Sequence, residues 1–393
     1  MPDRDITTVK ALCEQSQTPF YEICFDETHS PIYRKMIRSV ESWDVRSPYV
    51  YCGLVEDVRF FGRSFIFSKT GKFVFHCQSY LNHQSSNFEE CAQLYIDGKT
   101  DLFKNYMEEE CIFLGGTWSE ATPQGPSHLT DPPNFGHFIF EYLNRLAIFA
   151  HYGLLYRLPI VVYDIIPARW LEFLELAGVS KNQIIRISLD NPPAFRKAWV
   201  SSACHYRDTA GVYRVWGAGV HALRSLILTG IGGASVSKRR RIYLGRDNAQ
   251  WRKIANEHEV KALLDTYGFE YPVMSQLSAR EQVEVISSAE IVVCALGAGT
   301  VMTQFAPEHC ITILLAPAGV GGIWGGLASA IFLRQIYDRL DCERVSITDN
   351  VRINAGGVNE LADLIVDIAA LNAKIKEALH TMSVGQTRDA LKL

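Results

Sequence analysis

A chain of 393 residues is longer than one ordinary core supports, so two domains or a little more are expected. Its 48% hydrophobic and 21% charged residues are the proportions of a globular protein, and a net charge of -4 gives no electrostatic case for binding nucleic acid or an anionic membrane surface. No apolar run reaches the length of a membrane span, Met1 to Lys10 is too polar for a signal peptide, and no Asn-x-Ser/Thr sequon occurs. The expected location is therefore cytoplasmic, with peripheral attachment to the inner face of a membrane as the only membrane association. The 10 cysteines form no Cys-x-x-Cys pair, which argues against a zinc ribbon and for buried, reduced thiols.

In chain order, residues 1 to 40 are polar with scattered aromatics and specify no element. From Tyr49 to Cys77 the apolar runs Tyr49–Cys52, Ser64–Phe67 and Lys72–Phe75, separated by Gly53, Gly62 and Gly71, predict a β-meander. It reads as a lead-in layer to the catalytic core. Residues 87 to 114 predict a helix and then a strand, Cys111–Leu114. Gly115–Pro133, rich in Gly, Pro, Ser and Thr around Trp118, has no period and reads as a functional flap. Asn134 caps a helix running to Ala150, whose Phe138, Ile139, Tyr142, Leu143, Leu146 and Phe149 leave little of its circumference polar. His137, Glu141 and Arg145 form the exception, a single stripe at i, i+4 and i+8. Polar groups on a buried helix must be paired or face a cleft. Strand candidates Leu158–Tyr163, Gln183–Ser188 and Ala198–Ser201, with helices between the first two and after the third, predict an α/β half with a mainly parallel sheet.

Gly230–Ser237 is the linker, and regular alternation follows it: strand 241–245, helix 250–267, strand 269–273, helix 279–289, strand 291–295. Ser278 and Glu281 form a capping box at the start of the second of these helices. The glycine turn Leu296–Thr300 leads through a short helix to a strand at Cys310–Leu315. Gly319–Gly326, a helix through Leu340 and a last helix over Val358–Leu379 complete the chain. The predicted domains are residues 1–232 with the β-rich lead-in, residues 238–355, and a C-terminal helix in 356–393 with room to cross back to the first. Strand, helix, strand and glycine turn in this order make a nucleotide-binding half, because bare amides at strand ends and helix N-termini are where phosphates can be held.

There is no P-loop, no Gly-x-Ser-x-Gly elbow and no Asp-x-Asp beyond Asp3-Arg-Asp5 in the polar N-terminal stretch, the last arguing against a diphosphate held through a divalent metal. Without a metal, Arg246, Arg252, Lys253 and the amides of Gly297, Ala298, Gly299 and Thr300 are the groups that carry that charge. Taken alone, Gly297-Ala-Gly-Thr serves a tight turn equally well. Arg252, Asn256 and Glu257 sit on one predicted helical turn, which by itself reads as a solvated face, as does the basic run Lys238–Arg241. Gly217-Ala-Gly-Val-His-Ala222 has the outline of a dinucleotide fingerprint but no clear preceding strand and no later acidic residue. His137 with Glu141 is either a structural pair or, facing a cleft, a competent general base.

Together, Asn134-x-x-His137-x-x-x-Glu141-x-Leu143-x-Arg145, Ile242-Tyr-Leu-Gly-Arg246, Arg252-x-Ile254-x-Asn256-Glu257-x-x-Val260, Gly268-Phe269, Leu277-Ser278 with Glu281-Gln282, Ala289 and Gly297-Ala-Gly299 resemble glycosyltransferase family 61. The resemblance spans residues 45 to 320 and is strongest from 240 to 300. It implies two Rossmann-like domains facing across a cleft, the arrangement called GT-B, and inverting transfer of a hexose or pentose from a nucleotide sugar, UDP-linked, to a hydroxyl of a glycan or lipid-linked glycan. No further cofactor and no bound metal are implied. Carried over by residue, Arg246 and Arg252 neutralise the diphosphate, Gly297 to Thr300 approach it, and Asn256, Glu257 and Gln282 shape or brace the pocket. His137 and Glu141 face the acceptor, as base and orienter, with Asn134 and Arg145 on the same side. Many relatives have a His before the glycine turn and an Asn after it, where this chain has Leu296 and Met302. Three other readings stay open: a nucleotide-sugar epimerase, a pyruvyl-transferase-like enzyme, and a binding protein of polysaccharide assembly with a degenerate donor site.

Overall fold

The computed structural model describes residues 6–24, 32–35, 40–43, 45–46, 48–61, 65–75, 102–115, 134–207, 213–233, 239–246, 249, 252–318, 333, 335–345 and 362–390. The chain forms two compact units, Met1–Ser30 with Asp44–Gly230, and Pro31–Trp43 with Ile231–Leu393. Each carries one large sheet, so the protein is mixed α/β. Among the described residues no helix is long and apolar enough to cross a membrane.

The strands of the first half are β1 (Ile6–Thr7), β2 (Phe20–Cys24), β3 (Ile32–Lys35), β4 (Val40–Trp43), β5 (Val45–Arg46), β6 (Val50–Phe61), β7 (Phe65–Ser68), β8 (Phe73–Phe75), β9 (Tyr106–Met107), β10 (Cys111–Gly115), β11 (Ile160–Tyr163), β12 (Ile184–Ile187), β13 (Ala194–Ser201), β14 (His205–Arg207) and β15 (Tyr213–Val215). In the first unit the main sheet runs β1-β8-β7-β6-β13-β10-β11-β12, with β2 on β6 and β9 on β13. Strands β10 and β11 are buried at every position, the signature of parallel strands covered on both faces. β12, β11, β10 and β13 are mutually parallel neighbours. β13 also pairs antiparallel with β6, from Ala194 against Arg59 to Ser201 against Cys52.

One expectation is corrected here. The β-meander is not a separate lead-in layer, because β6-β7-β8 hydrogen-bond antiparallel into the same sheet as the parallel α/β strands, which makes that sheet mixed. Aromatic packing holds the join: the Phe60 ring of β6 stacks 3.5 Å from Phe113 of β10, and Phe195 of β13 meets Phe60 edge-on at 5.1 Å. Gly53 does not break its strand either. A Cβ there would stand 2.8 Å from Cys13 Sγ and 2.9 Å from the Phe20 ring, so the glycine lets β6 pass beneath the helix Val9–Ser16.

The second unit holds β16 (Arg240–Leu244), β17 (Phe269–Glu270), β18 (Ala289–Ala295), β19 (Ile311–Pro317), β20 (Ile336–Val345) and β21 (Asp363–Ile365), in the order β17-β16-β18-β19-β20-β21. All pairs are parallel except β20 with β21. Leu371, Ile375 and Ala378, spaced one turn apart on the helix Ile368–Ala390, enter this unit's core beside Val260 and Leu264 of the helix Glu257–Asp265. The end of the helix expected through Leu340 belongs instead to β20, and residues 327–332 lie outside the described residues: in the second half of β20 buried Leu340 and Cys342 alternate with exposed Asp341 and Glu343, a period of two. The last helix starts at Ile368 rather than Val358, with β21 ahead of it.

The helix expected from residue 250 begins only at Glu257. Upstream, Ile254 bridges to Leu364, Lys253 N donates to Asp363 Oδ1 at 2.7 Å, and Ala255 N donates to Leu364 O. Arg252, Asn256 and Glu257 therefore do not share a helical turn. Residues 87–101, Gly319–Gly326, and the flap apart from Gly115, which ends β10, lie outside the described residues. Cys13, Cys52, Cys111, Cys204, Cys294, Cys310 and Cys342 are free and buried. Burial pushes the thiols of Cys52, Cys111, Cys294, Cys310 and Cys342 up to about 12.

The capping box is present: Ser278 Oγ accepts from Glu281 N, and Ser278 N donates to Glu281 Oε2 at 2.8 Å. Ser278→Ala should cost about 1 kcal/mol in urea unfolding of the second unit. A change within error would show that packing of the helix Ala279–Ser287 makes the cap redundant.

Candidate functional site

In the second unit the chain leaves β16 to β17 on one side and reaches β18 on the other. Such a reversal separates the connections at the carboxyl ends of β16 and β18 and leaves a crevice there, the usual ligand position in open α/β sheets. Gly245 and Arg246 follow β16, and Leu296 to Thr300 follow β18. The Arg246 guanidinium lies directly on Gly297, where a Cβ would stand 1.6 Å from its Nη1. Burial lowers the Arg246 pKa, opposed by the negative charge of Asp363. Arg252 is 8% exposed, and its Nη1 donates to Leu296 O at 3.4 Å. Its backbone is left-handed at φ 56°, an unfavourable conformation for a side-chain-bearing residue, held by the pairing of 253–255 with 363–364.

The other residues expected on the donor side fall into distinct settings. Gly297 and Ala298 are half-buried and Gly299 is exposed at the start of the 3-10 helix Ala298–Phe305. Thr300 turns its hydroxyl back to Gly297 O at 2.7 Å. Asn256 exchanges two hydrogen bonds with the backbone of Val366, at 2.9 and 3.0 Å. Glu257 accepts from Tyr243 OH at 3.0 Å and fills the space above Gly245. Gln282 donates to Leu277 O at 3.0 Å. These last three brace the connections. The residue that sequence reading missed is Asp363: it is 2% exposed, its segment was assigned to a helix, and only its charge between apolar neighbours marked it.

In the first unit, the parallel order β12-β11-β10-β13 reverses between β10 and β13. The helical segment after β10 starts with Asn134, whose Oδ1 accepts from Gly136 N and His137 N. It is not one regular helix: an α turn Phe135–His137 passes into a π turn Phe138–Tyr142, a 3-10 turn Leu143–Arg145 and an α-helix Leu146–His151. His137 Nδ1 is 2.9 Å from Glu141 Oε1. With Nδ1–H donating to the carboxylate, Nε2 carries the imidazole lone pair. Glu141 is 2% exposed, and its Oε2 has no hydrogen-bond partner among the described residues.

The π turn changes the period, and Arg145 leaves the stripe: it is fully buried, its guanidinium 4.7 Å over the Tyr142 ring. Asn144 Nδ2 caps the Phe140 carbonyl at 2.8 Å. The group unforeseen from sequence is His205, 2% exposed and edge-on to Phe140 at 4.8 Å, with the His137 ring 5.2 Å from the same Phe140 ring. Its short segment has no period to announce it. In Gly217-Ala-Gly a strand, β15, does precede the helix Gly217–Gly230, but Gly219 makes room for Trp216, whose ring would lie 2.1 Å from a Cβ.

Residues 135–313 match the family model Glycosyltransferase 61. The match covers under half of the chain, yet it contains His137, Glu141, His205 and both arginines of the β16–β18 crevice. It supports the resemblance to family 61 and, with it, glycosyltransferase activity. No curated protein matches the chain.

Burial pushes the His205 pKa down to about 3, with the charge of His137 acting in the same sense. Below the unfolded value of about 6.5 the unfolded chain takes up a proton that the folded chain refuses, so stability falls as pH drops, by roughly 1.4 kcal/mol per pH unit. His205→Gln should flatten urea-unfolding stability between pH 6.5 and 5 by about 2 kcal/mol. An unchanged slope would mean that the imidazole is protonated in the fold.

Proposed function

We propose that the protein is an inverting glycosyltransferase of GT-B type that moves a hexose or pentose from a UDP-linked sugar to a hydroxyl of a glycan or lipid-linked glycan. The observation that carries the reading is the crevice at the ends of β16 and β18, where the Arg246 and Arg252 guanidinia gather beside Gly297 and Leu296. Guanidinia at such a switch point match a leaving diphosphate in charge and geometry. The family match supports transfer chemistry, and the strand orders of both units support a Rossmann-like reading of each. Cell-surface polysaccharide assembly from the cytoplasmic side is the setting we infer from the family resemblance.

In the reaction the acceptor oxygen attacks the anomeric carbon as its bond to the diphosphate breaks. The bonding electrons leave on the diphosphate, and the acceptor proton passes to His137 Nε2. Glu141 holds the imidazole by Nδ1 and stabilises the imidazolium that forms. Arg246 and Arg252 stabilise the charge that develops on the leaving group, which takes the place of a metal held by Asp-x-Asp. Leu296 and Met302, where relatives have His and Asn, are 2% and 1% exposed, so those side chains pack inward and the donor is held without them. The same packing favours the rival reading of a donor site retained only for binding.

Arg246→Ala and Arg252→Ala should each lower turnover about a hundred-fold or more while circular dichroism stays native. His137→Ala should lower kcat about a hundred-fold or more with donor affinity unchanged. Near-native transfer by both arginine variants would remove the donor assignment, and a loss of donor affinity rather than kcat would move His137 out of the base role. The screen that tests the whole reading is thermal shift against nucleotide sugars, with and without chelator. A selective, chelator-insensitive rise in Tm is expected, and turnover of a nucleotide sugar with no acceptor present would turn the protein into an epimerase.

A further inference from the structure

Gly297 is a glycine for a reason that its backbone does not explain. Its φ of 170° and ψ of -171° are extended, a conformation any residue adopts, and two residues on, Gly299 has open space where a Cβ would stand. What Gly297 lacks room for is a side chain beneath Arg246: a Cβ would lie 1.6 Å from Nη1, 2.8 Å from Cζ and 3.5 Å from Nη2. The guanidinium thus lies across the bare Cα, reached from the end of the neighbouring strand β16.

We infer that Gly297 is a positioning residue, the socket that seats the Arg246 guanidinium for a nucleoside diphosphate. The inference rests on the donor-site reading above and alters one part of it: the glycine serves the arginine first, and the phosphate meets a guanidinium rather than a bare amide. Asp363 and Arg252 complete the seat. Asp363 is buried and its charge acts on Arg246, while its Oδ1 holds Lys253 N, the residue after Arg252. Arg252 in turn holds Leu296 O, the residue before the socket. Arg252 thus fastens the residue before the socket, and a side chain placed at Gly297 would meet the end of the Arg246 side chain rather than backbone. Gly245 repeats the device, with Glu257 Oε1 2.7 Å from where its Cβ would stand.

A double-mutant cycle on the full chain tests the socket, read by calorimetric titration with uridine diphosphate and, separately, inorganic pyrophosphate. Gly297→Ala has a permitted backbone and displaces only the end of a flexible side chain, so Tm should fall by no more than about 4 °C. Affinity for uridine diphosphate should nevertheless fall about ten- to a hundred-fold, as in Arg246→Ala. The double variant should bind no more weakly than Arg246→Ala alone. Losses that multiply in the double variant would overturn the socket, since the glycine would then act on the ligand by itself. Native affinity in Gly297→Ala would overturn it too. Native affinity in Arg246→Ala would instead remove the donor-site reading. Parallel losses for pyrophosphate and uridine diphosphate place the effect at the phosphates, and a loss confined to uridine diphosphate would overturn that placement.

Discussion

Two-sided burial of parallel strands is the constraint from which the sites follow. Ile291 to Ala295 of β18 and all of β19 are buried, so nothing along their length is open to a ligand. Only the strand ends remain, and parallel pairing brings the carboxyl ends of β16, β18, β19 and β20 to one edge. The crossing of the chain from β17 over to β18 then opens one gap along that edge. The connection after β16 delivers both Arg246 and Arg252 to it, and β21 delivers Asp363; Arg252 holds the Leu296 carbonyl after β18, and Asp363 holds Lys253 N. The first unit applies the same rule at β10 and β13, with an imidazole and a carboxylate where the second has guanidinia.

The π turn does for the first unit what the left-handed Arg252 does for the second: it gives up regularity to aim a side chain. In an unbroken α-helix Arg145 would stand one turn from Glu141 and neutralise it. The π turn swings that guanidinium over Tyr142 and leaves Glu141 with His137 and one oxygen uncommitted among the described residues. Within the same stretch the Asn144 side chain donates to the Phe140 carbonyl. Bulges of this kind are frequent at functional sites for this reason.

The sequence made legible what rests on local periodicity. The strands around Ile242, Val292 and Ile313, the capping box at Ser278 and the cap at Asn134 could all be read from short-range pattern. The His137–Glu141 pair survived because four residues span one turn in either helix type, whereas Arg145, two turns away, did not. The joining of the meander to the α/β strands was hidden because strand partnership is non-local: nothing near Phe60 names Phe113 or Phe195. Asp363 and His205 were missed because each sits in a strand of three residues, too short to show a period. Gly297 could be read as a bare amide beside a phosphate or as a turn residue, whereas the close approach of the Arg246 side chain left no local trace.

The buried thiols carry a consequence of their own. Cys13, Cys52, Cys111 and Cys204 lie in the first unit, and Cys294, Cys310 and Cys342 in the second. Alkylating reagents attack the thiolate, so shielded sulfurs whose protons are held this tightly stay inert until the surrounding core opens. The chain thereby carries its own set of reporters: the order in which peptides from the two units take up a thiol label records which unit loosens first, and whether a bound nucleotide protects one unit or both.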